Sequence, residues 1–344
     1  MGALSIRYLS QEDVMKCNLL DMEQAIRDVE EMFKMMASGD CIYRSKLVFW
    51  LKGDDPELAD KRFTAQSAFL GGSFGTAGLK WVGSVPDNPM RRDLPRTSAL
   101  IVISDPETGL PLGIMEGSVV SAVRTGASTG VAAKFLARAE SQTVGLIGAG
   151  VQNRTQLLAL DCALPKLEQV FVYDRASERT KRFISDMEKL TRLSLRACDD
   201  VEDMLKRVDV VVSATTSTKP IILGEWLRSG MFYAHVGDYE CDHATLQRAD
   251  KIVVDHLEGI RHWGKQTLAL MLEEGTISES AVHAEIMDIV AGTKPGRSSE
   301  DEITYYCTIG LGSQDVAVGT RILRTAEREG IGMELKLWDN PFAV

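Results

Sequence analysis

Two glycines followed by an acidic residue after the next apolar run are the first features of this chain that suggest chemistry. The segment TVGLIGAGVQN, residues 143–153, is an apolar run that ends in Gly148 and Gly150, and Asp174 follows the next apolar run. In a dinucleotide-binding turn the first glycine makes the sharp bend, and the second lets backbone N–H groups approach a pyrophosphate. A carboxylate at the position of Asp174 accepts hydrogen bonds from the adenosine ribose. The spacing predicts a nicotinamide dinucleotide site, although Asn153 replaces the usual third glycine.

The cofactor contacts should come from this turn, from the helix behind it and from the ends of neighbouring strands. The carboxylate of Asp174 would repel a 2′-phosphate and favours NAD(H), whereas Arg175 beside it would soften that preference and admit NADP(H). The helix after the turn would direct its positive N-terminal end at the phosphates. The expected contacts are Thr125, Gly148, Ala149, Gly150, Val151, Gln152, Asn153, Asp174, Arg175, Thr215, Val236, Gly237 and Gly312.

Further apolar runs indicate the sheet that carries this turn. They occupy residues 169–173, 208–214, 231–236 and 251–255, and helical stretches separate them. Continuous rather than alternating apolar runs are typical of parallel strands buried on both faces. The sequence therefore predicts a doubly wound parallel sheet of the Rossmann type. A sheet of this kind that binds no nucleotide is the competing interpretation.

The remaining segments predict a second, α+β domain formed from both ends of the chain. A small-residue helix at 116–139 leads into the nucleotide-binding strand, and a helix at 313–328 would return the chain to the first domain. We expect a substrate-binding and dimerisation domain at 1–125 with 318–344, and an NAD-binding Rossmann domain at 126–317.

Composition excludes several classes of function. The 344 residues are 44% hydrophobic, enough for two ordinary cores, and the net charge of −10 with no basic patch argues against a nucleic-acid partner. No apolar run reaches the length of a membrane span, and the N-terminus lacks a signal-peptide pattern. The six cysteines include no C-x-x-C pair and predict reduced thiols in the cytoplasm. The five histidines show no ligand spacing, so no metal is expected.

Four segments together resemble the ornithine cyclodeaminase/mu-crystallin family over nearly the whole chain. They are GLKWVGSVPDNP, DPETGLPLGIMEGSVVSAVRTGAS, VGLIGAGVQN and GLGSQDVAVG. The resemblance implies a nicotinamide-dependent enzyme that interconverts an amino acid with an imine or keto acid. It also implies a homodimer built through the N-terminal domain.

The family's contacts to the substrate carboxylate map onto Arg44, Lys80 and Arg124. A guanidinium presents two parallel N–H donors that match a carboxylate, and lysine adds a point charge that could also act in catalysis. The LPR turn that contains Arg96 resembles the corresponding segment in the branch of the family that oxidises an N-linked dicarboxylate. An additional arginine there would suit the second carboxylate of such a substrate. A solvated loop arginine is the alternative for Arg96, and an ordinary surface cation is the alternative for the others.

The family's cyclodeaminases use an aspartate in a V-G-x-D setting, which this chain does not reproduce. Its sequence is HVGDYECDH, with Asp238 one place early and Tyr239 at the matching position. A carboxylate here could take a proton from the substrate ammonium or activate water for imine hydrolysis. We expect Asp238 first and Glu240 second in that role, with a helix N-cap as the alternative for Asp238 and Asp242.

These observations predict an NAD(H)-dependent oxidoreductase that acts on the C–N bond of an α-amino acid or its imine, such as an amino-acid or opine-type dehydrogenase or a ketimine reductase. The first alternative is a cyclodeaminase that uses NAD catalytically and releases ammonia, which the missing V-G-x-D register argues against. The second alternative is a non-catalytic protein that binds a nucleotide and a small ligand.

Overall fold

The computed structural model describes residues 2–51 and 61–342, in which sixteen β-strands and twelve α-helices are found. The strands are β1 Leu4–Leu9, β2 Cys41–Tyr43, β3 Leu47–Trp50, β4 Arg62–Leu70, β5 Thr76–Ser84, β6 Thr97–Ser104, β7 Pro111–Glu116, β8 Thr143–Ile147, β9 Gln169–Tyr173, β10 Ser194–Ala197, β11 Val210–Ser213, β12 Phe232–His235, β13 Lys251–Val254, β14 Val282–Glu285, β15 Thr304–Cys307 and β16 Met333–Trp338. The helices are α1 Gln11–Lys16, α2 Met22–Ser38, α3 Asn88–Arg91, α4 Ser118–Leu136, α5 Val151–Ala163, α6 Ser177–Met187, α7 Val201–Leu205, α8 His243–Arg248, α9 Leu257–Trp263, α10 Thr267–Glu274, α11 Ile286–Val290 and α12 Gly312–Glu329.

The chain forms two compact units, and the first combines residues up to Arg124 with those from Leu311 onward. The second unit contains Thr125–Gly310. The second boundary lies at 311 instead of the expected 318, because α12 begins at Gly312 and packs on β4, β5 and β6 of the first unit. The assignment of substrate binding and dimerisation to one unit and of NAD binding to the other stays a prediction at this point.

The first unit is built on a mixed sheet with helices packed on it. Its strand order is β16-β1-β7-β6-β5-β4-β2, with β3 also paired to β4, and only β1 and β7 run parallel. Helix α12 packs on the central strands and on α2. Successive residues of a strand point to opposite faces, and Lys80 on β5 is buried while the next residue, Trp81, is 41% exposed. One face of this sheet therefore forms the core of the unit, and the other carries exposed apolar residues.

Helix α2 illustrates how the sequence defines an element of that core. The side chain of Asp21 accepts a hydrogen bond from the N–H of Gln24 at the start, and Gly39, with φ of 80°, ends the helix. Its apolar stripe includes the buried Met32 and Phe33. The methionine-rich segment is thus core packing.

A glycine lets helix α12 approach the sheet at the point where that helix begins. A Cβ atom added to Gly312 would lie 2.8 Å from the carbonyl carbon of Gln66 on β4, closer than packed atoms come. Gly312 therefore serves close packing within the first unit, and its expected role as a cofactor contact stays a prediction.

The second unit is a parallel sheet in the order β10-β9-β8-β11-β12-β15-β13-β14. The central strands β11, β12, β13 and β15 are buried at every position, as the continuous apolar runs predicted. Strand order reverses between β8 and β11, and ligands of such sheets bind in the crevice at the carboxyl ends beside this reversal. The edge strands β10 and β14 were missed by sequence reasoning, because most of their side chains are not buried and they lack an apolar run. The predicted α/β Rossmann fold with an α+β partner is confirmed.

In the described part of the chain, no helix combines the length and the apolar character needed to cross a membrane.

Candidate functional site

The first unit buries two cations on one carboxylate. Lys80 Nζ lies 2.7 Å from Asp315 Oδ2, and Arg124 Nε donates to Asp315 Oδ1 at 3.2 Å. The exposed fractions of Lys80, Arg124 and Asp315 are 2%, 7% and 0%, so all three charges lie within the unit. Buried charges are costly unless they are paired, and this arrangement pairs each of them. We call these three residues the cation cluster.

Neutral side chains complete the hydrogen bonds of the cation cluster. Ser121 Oγ accepts from Lys80 Nζ at 2.9 Å and from Arg124 Nη2 at 3.2 Å. Ser121 precedes Arg124 by three residues on α4, which places both on one helix face. Gln314 Oε1 accepts from Arg124 Nη1 at 2.8 Å. Each of the three guanidinium nitrogens of Arg124 therefore donates a hydrogen bond.

Burial changes the protonation of the lysine. Desolvation and, to a smaller extent, the neighbouring Arg124 lower the pKa of Lys80 to about 8, against the opposing effect of Asp315. Lys80 is thus mostly protonated at neutral pH but can release a proton just above it.

A buried amide faces the same side of the sheet. Gln66 on β4 is the cross-strand partner of Lys80 on β5, and directly opposed residues project to the same face. Gln66 is only 4% exposed, and its Oε1 has no hydrogen-bond partner among the residues that the structure describes. A buried acceptor without a partner is costly, so this oxygen is suited to an N–H group of a ligand.

Arg44 and Arg96, the other two arginines expected at the substrate, make local contacts in the structure. Arg44 is exposed, and its Nη1 donates to the carbonyl oxygen of Tyr43 at 3.2 Å. Arg96 is half-buried in the turn before β6, where its carbonyl accepts from the N–H of Val85. Within the described residues, neither side chain contacts the cation cluster. The structure groups Lys80 and Arg124 with Asp315, which sequence reasoning missed, and the substrate contacts expected from Arg44 and Arg96 stay predictions.

In the second unit the glycine turn has the geometry of a phosphate cradle. Gly148 adopts a φ of 98°, and a Cβ atom there would lie 2.7 Å from the carbonyl oxygen of Ala214 on the adjoining loop. Gly150 caps α5, and no atom lies within 4 Å of the place where its Cβ would be. The first glycine is thus required by the turn, and the second leaves open space at a helix N-terminus. This is the arrangement that admits a pyrophosphate.

Asn153 explains how the turn is built without its third glycine. Its side chain is fully buried, and Nδ2 donates to the carbonyl oxygens of Ile147 at 2.9 Å and Gly148 at 2.6 Å. The expected cofactor contact by Asn153 is corrected by this burial, because its amide holds the turn in place from behind.

A pocket lies beside the glycine turn and is formed entirely by the second unit. Of the expected cofactor contacts, Gly148, Gly150, Asp174, Arg175 and Thr215 line it. Sequence reasoning missed its other lining residues, which lie at the ends of β8, β9 and β11 and in the segments that follow β9 and β11: Ile147, Tyr173, Arg179, Ala214, Thr216, Ser217 and Ile221. The polar run ATTST after an apolar strand is the signal that could have indicated part of them.

The other expected cofactor contacts lie around this pocket without lining it. Thr125 and Ala149 are buried, Gln152 is half-buried, and Val151 is 66% exposed in the first turn of α5. Val236 and Gly237 follow β12, where the N–H of Val236 donates to the carbonyl of Ser213 at 3.0 Å.

Glu240 holds two strand ends together. Its Oε1 accepts from the N–H of Thr215 at 2.5 Å, and its Oε2 accepts from the N–H of Gly237 and from Ser213 Oγ. The carboxylate is fully buried, and this burial raises its pKa. The expected catalytic role of Glu240 is corrected accordingly, because it positions the loops after β11 and β12 and has no exposed surface.

The histidine beneath Glu240 is neutral. His235 Nδ1 lies 2.5 Å from Tyr305 Oη, and its Nε2 lies 3.5 Å from Glu240 Oε2. Burial lowers the pKa of His235 to about 4, so the pair carries no permanent ion pair at neutral pH.

Asp238 and Asp242 separate the two interpretations of the HVGDYECDH segment. Asp242 caps α8 through the N–H of Thr245 at 3.0 Å, as the N-cap alternative predicted. Asp238 is half-buried, and its Oδ1 accepts from Trp263 Nε1 at 2.7 Å. Asp238 is thus a carboxylate of this segment that has a fixed orientation and partial exposure without capping α8.

Comparison with known proteins places these features in a family. The family model described as "Ornithine cyclodeaminase/mu-crystallin family" matches residues 7–329. The chain belongs to this family. The resemblance inferred from the four sequence segments is therefore confirmed.

Relatives of the family match almost the whole chain. An alanine dehydrogenase of Archaeoglobus fulgidus is 36% identical over 336 residues, covering 96% of this chain and 98% of that protein. A solved Thermococcus litoralis Delta(1)-pyrroline-2-carboxylate reductase, in complex with NADH and L-proline, is 32% identical with a TM-score of 0.88, over 95% of this chain and 99% of that chain. An archaeal alanine dehydrogenase dimer with bound NAD is 35% identical with a TM-score of 0.88, over 97% and 100%.

Removing the shared carboxylate tests the energetic importance of the cation cluster. Asp315→Ala leaves Lys80 and Arg124 buried without their partner, and we expect it to lower the free energy of unfolding in urea by about 3–5 kcal/mol. Glu23→Ala is the matched control, because Glu23 pairs with Arg27 on the surface, where both side chains are more than half exposed. That loss should stay below about 1 kcal/mol. Equal losses in the two variants would contradict the account.

Proposed function

We propose that this protein is an NAD(H)-dependent oxidoreductase that acts on the C–N bond of an α-amino acid or the corresponding imine. The observation that carries the proposal is the buried cation cluster, found together with a dinucleotide pocket in a single chain. The predicted oxidoreductase class and NAD cofactor are confirmed at the level of the family, whose relatives include an alanine dehydrogenase and a pyrroline-carboxylate reductase with NADH.

The cation cluster is suited to one carboxylate. Lys80 and Arg124 carry two positive charges against the one negative charge of Asp315, which leaves one positive charge in the buried site. Lysine has three N–H donors and arginine has five. Lys80 uses two on Asp315 and Ser121, and Arg124 uses three on Asp315, Gln314 and Ser121. The remaining three donors bind the substrate carboxylate, and bonds of this kind are charge-assisted.

The substrate nitrogen requires different groups. We assign Gln66 Oε1 as the acceptor for its N–H, because this buried oxygen has no partner in the described residues. Asp238 is our candidate for the group that exchanges a proton with the nitrogen or activates water for imine hydrolysis. Its support is the combination of partial exposure with an orientation fixed by Trp263.

The second unit supplies the cofactor site. The open side of Gly150 and the N-terminus of α5 would receive the pyrophosphate, and Asp174 would accept hydrogen bonds from the ribose. Thr215, held by Glu240, forms the opposite wall of the pocket. When bound, NAD⁺ accepts a hydride from the carbon that carries the nitrogen.

We further propose a cytoplasmic protein, in line with six cysteines that form no disulfide within the described residues, and a homodimer formed through the open face of the first sheet. That face carries an aromatic patch in which Phe63 stacks on Trp81 at 5.4 Å between ring centroids, with Phe49 at 6.0 Å from Trp81. Leu47 on β3 and Leu100 on β6 are in register with Trp81 across the sheet, and they are 58% and 47% exposed. Contiguous apolar patches of this kind mark interaction sites.

The dimer proposal is tested by light scattering of the purified protein. The wild-type chain should have twice the mass of one chain, and Trp81→Glu should shift it toward one chain because a carboxylate would be buried in the interface. Leu190→Glu serves as the control, since Leu190 is 54% exposed in the other unit. A wild-type protein that runs as a single chain would refute the proposal.

The reaction is tested by a paired assay in which a panel of amino acids is supplied with NAD⁺, and NADH and free ammonia are measured in the same sample. We expect net NADH formation with at least one amino acid, and Arg124→Ala should abolish it while NADH still binds. Ammonia without net NADH would instead identify a cyclodeaminase. Arg27→Ala is the control variant and should retain most activity, because Arg27 is exposed on α2 and pairs there with Glu23. Normal turnover by Arg124→Ala would overturn the carboxylate assignment.

Lys80 predicts the pH dependence of substrate binding. Its pKa of about 8 means that the charge is present below this pH and is lost as the pH rises through it. The KM for the amino acid should therefore rise by about tenfold per pH unit above that point. Lys80→Arg keeps a charge at every pH tested, so the KM of this variant should not rise in the same range. A KM of the wild-type enzyme that is independent of pH would be inconsistent with the role of Lys80.

A further inference from the structure

The short connector between α9 and α10, residues 263–266, reaches the Asp238 segment at two successive residues. Trp263 is the last residue of α9, and Gln266 is the N-cap of α10. Trp263 Nε1 donates to Asp238 Oδ1 at 2.7 Å. Gln266 Nε2 donates to the carbonyl oxygen of Gly237 at 3.2 Å. One connector therefore holds both the side chain of Asp238 and the backbone that precedes it.

Gln266 also binds the segment that follows a second strand. Its Nε2 donates to the carbonyl oxygen of Thr308, directly after β15, at 2.9 Å. Strands β12 and β15 are hydrogen-bonded neighbours, so one amide group ties together the segments that leave their carboxyl ends. The side chain of Gln266 is 1% exposed, and its Oε1 has no partner among the residues that the structure describes. Because only the amide nitrogen can donate to carbonyl oxygens, these two bonds determine how the amide is oriented.

The backbone at Gly237 needs this restraint. A Cβ atom added to Gly237 would lie 2.4 Å from the carboxyl carbon of Glu240, so the close approach of Glu240 requires a glycine here. Glycine has more backbone freedom than any other residue, and Asp238 follows it directly. Glu240 holds the N–H of Gly237 at 2.8 Å, and Gln266 holds its carbonyl oxygen. The position of Asp238 therefore depends on both bonds.

We propose that Gln266 is a positioning residue for Asp238, and that together with Trp263 it keeps this carboxylate where it exchanges a proton with the substrate nitrogen or activates water. The inference rests on the proposed function, which gives Asp238 that role. Gln266 itself lies outside the reaction, because its amide is buried and both of its bonds go to backbone carbonyls. A displacement of about 1 Å at a reacting group can lower a rate by about 100-fold, so the restraint matters for turnover.

Kinetics test the inference with the amino acid that gives the highest rate of NADH formation. Gln266→Met keeps a side chain of similar length and removes both N–H donors. It should lower kcat by about 10- to 100-fold, while KM and the Kd of NADH change by less than about threefold. In an Asp238→Asn background the same substitution should change kcat by less than about twofold, because the carboxylate that Gln266 positions is already absent.

Trp263→Phe supplies a second variant that leaves the bonds of Gln266 in place. It removes the N–H donor to Asp238 and keeps an aromatic ring in the same position. We expect it to lower kcat by about tenfold, again with a change of less than about twofold in the Asp238→Asn background.

A spectroscopic signal of Trp263 tests the geometry independently of turnover. The five tryptophans of the chain are labelled with fluorotryptophan, and the fluorine NMR resonance of Trp263 is assigned by its absence from Trp263→Phe. Gln266→Met should shift this resonance, because movement of Asp238 changes the hydrogen bond of the indole N–H.

Gln156 supplies the matched control. It is a fully buried glutamine of the same unit, and its Nε2 donates to the carbonyl oxygen of Thr125 at 3.3 Å. Its Oε1 likewise has no partner in the described part of the chain. Gln156→Met therefore removes the same chemical group from a side chain that binds neither Gly237 nor Thr308. It should leave the Trp263 resonance at its wild-type position, whereas a shift in both variants would show a general loosening of the unit and overturn the inference.

The remaining outcomes separate this inference from the proposed function. The inference is overturned, with the oxidoreductase assignment intact, if Gln266→Met changes neither kcat nor the Trp263 resonance, or if it lowers kcat equally in the wild-type and Asp238→Asn backgrounds. If Asp238→Asn turns over as fast as the wild-type protein, the proposed role of Asp238 is wrong and the inference falls with it. If the wild-type protein turns over no amino acid, the proposed function itself is overturned.

Discussion

The carboxylate of Asp315 is the group on which the proposed substrate site depends. Lys80 lies on a strand and Arg124 on a helix. Both side chains are buried, and burial of either charge without an acidic partner would be energetically costly. One carboxylate oxygen for each cation removes most of that cost, and Ser121 and Gln314 fix the remaining geometry. The result is a fixed group of buried N–H donors. Electrostatic attraction between such donors and a carboxylate is strong because the local dielectric constant is low.

In the second unit, Glu240 has a supporting role comparable to that of Asp315 in the first. It is also a fully buried carboxylate, but its partners are mainly backbone N–H groups at the ends of two parallel strands. Such bonds fix loop conformation and leave the side chain unavailable to a ligand. Neither buried acid is proposed to contact a ligand itself. Asp315 orients the cationic side chains, and Glu240 orients the backbone that forms the pocket wall.

The parts of this structure that could be predicted are those encoded within short segments. The glycine turn, the buried parallel strands and Asp174 each leave a local signature, because the chemistry requires particular residues a fixed distance apart. Asp315 leaves no such signature, since it lies 191 residues from Arg124 and only the fold brings them together. Arg44 is exposed, and its expected contact with the substrate carboxylate stays a prediction, because neither its residue type nor its segment determines what its side chain meets. Asn153 and Glu240 were correctly located near the pocket, but their burial, which the sequence does not encode locally, changes their function from contact to support.

Local charge then explains why each unit is suited to its ligand. The cation cluster carries one excess positive charge, and so does the outer part of the dinucleotide pocket with Arg175, Arg179 and Asp174. The difference lies in burial. The two arginines are exposed, whereas Lys80 is buried, and this burial brings the pKa of Lys80 down to about 8. A bound carboxylate would place a second negative charge beside Lys80 and raise its pKa again, so substrate binding and proton retention by Lys80 favour each other. In the proposed function, the buried lysine therefore links the protonation of the protein to the occupancy of its substrate site.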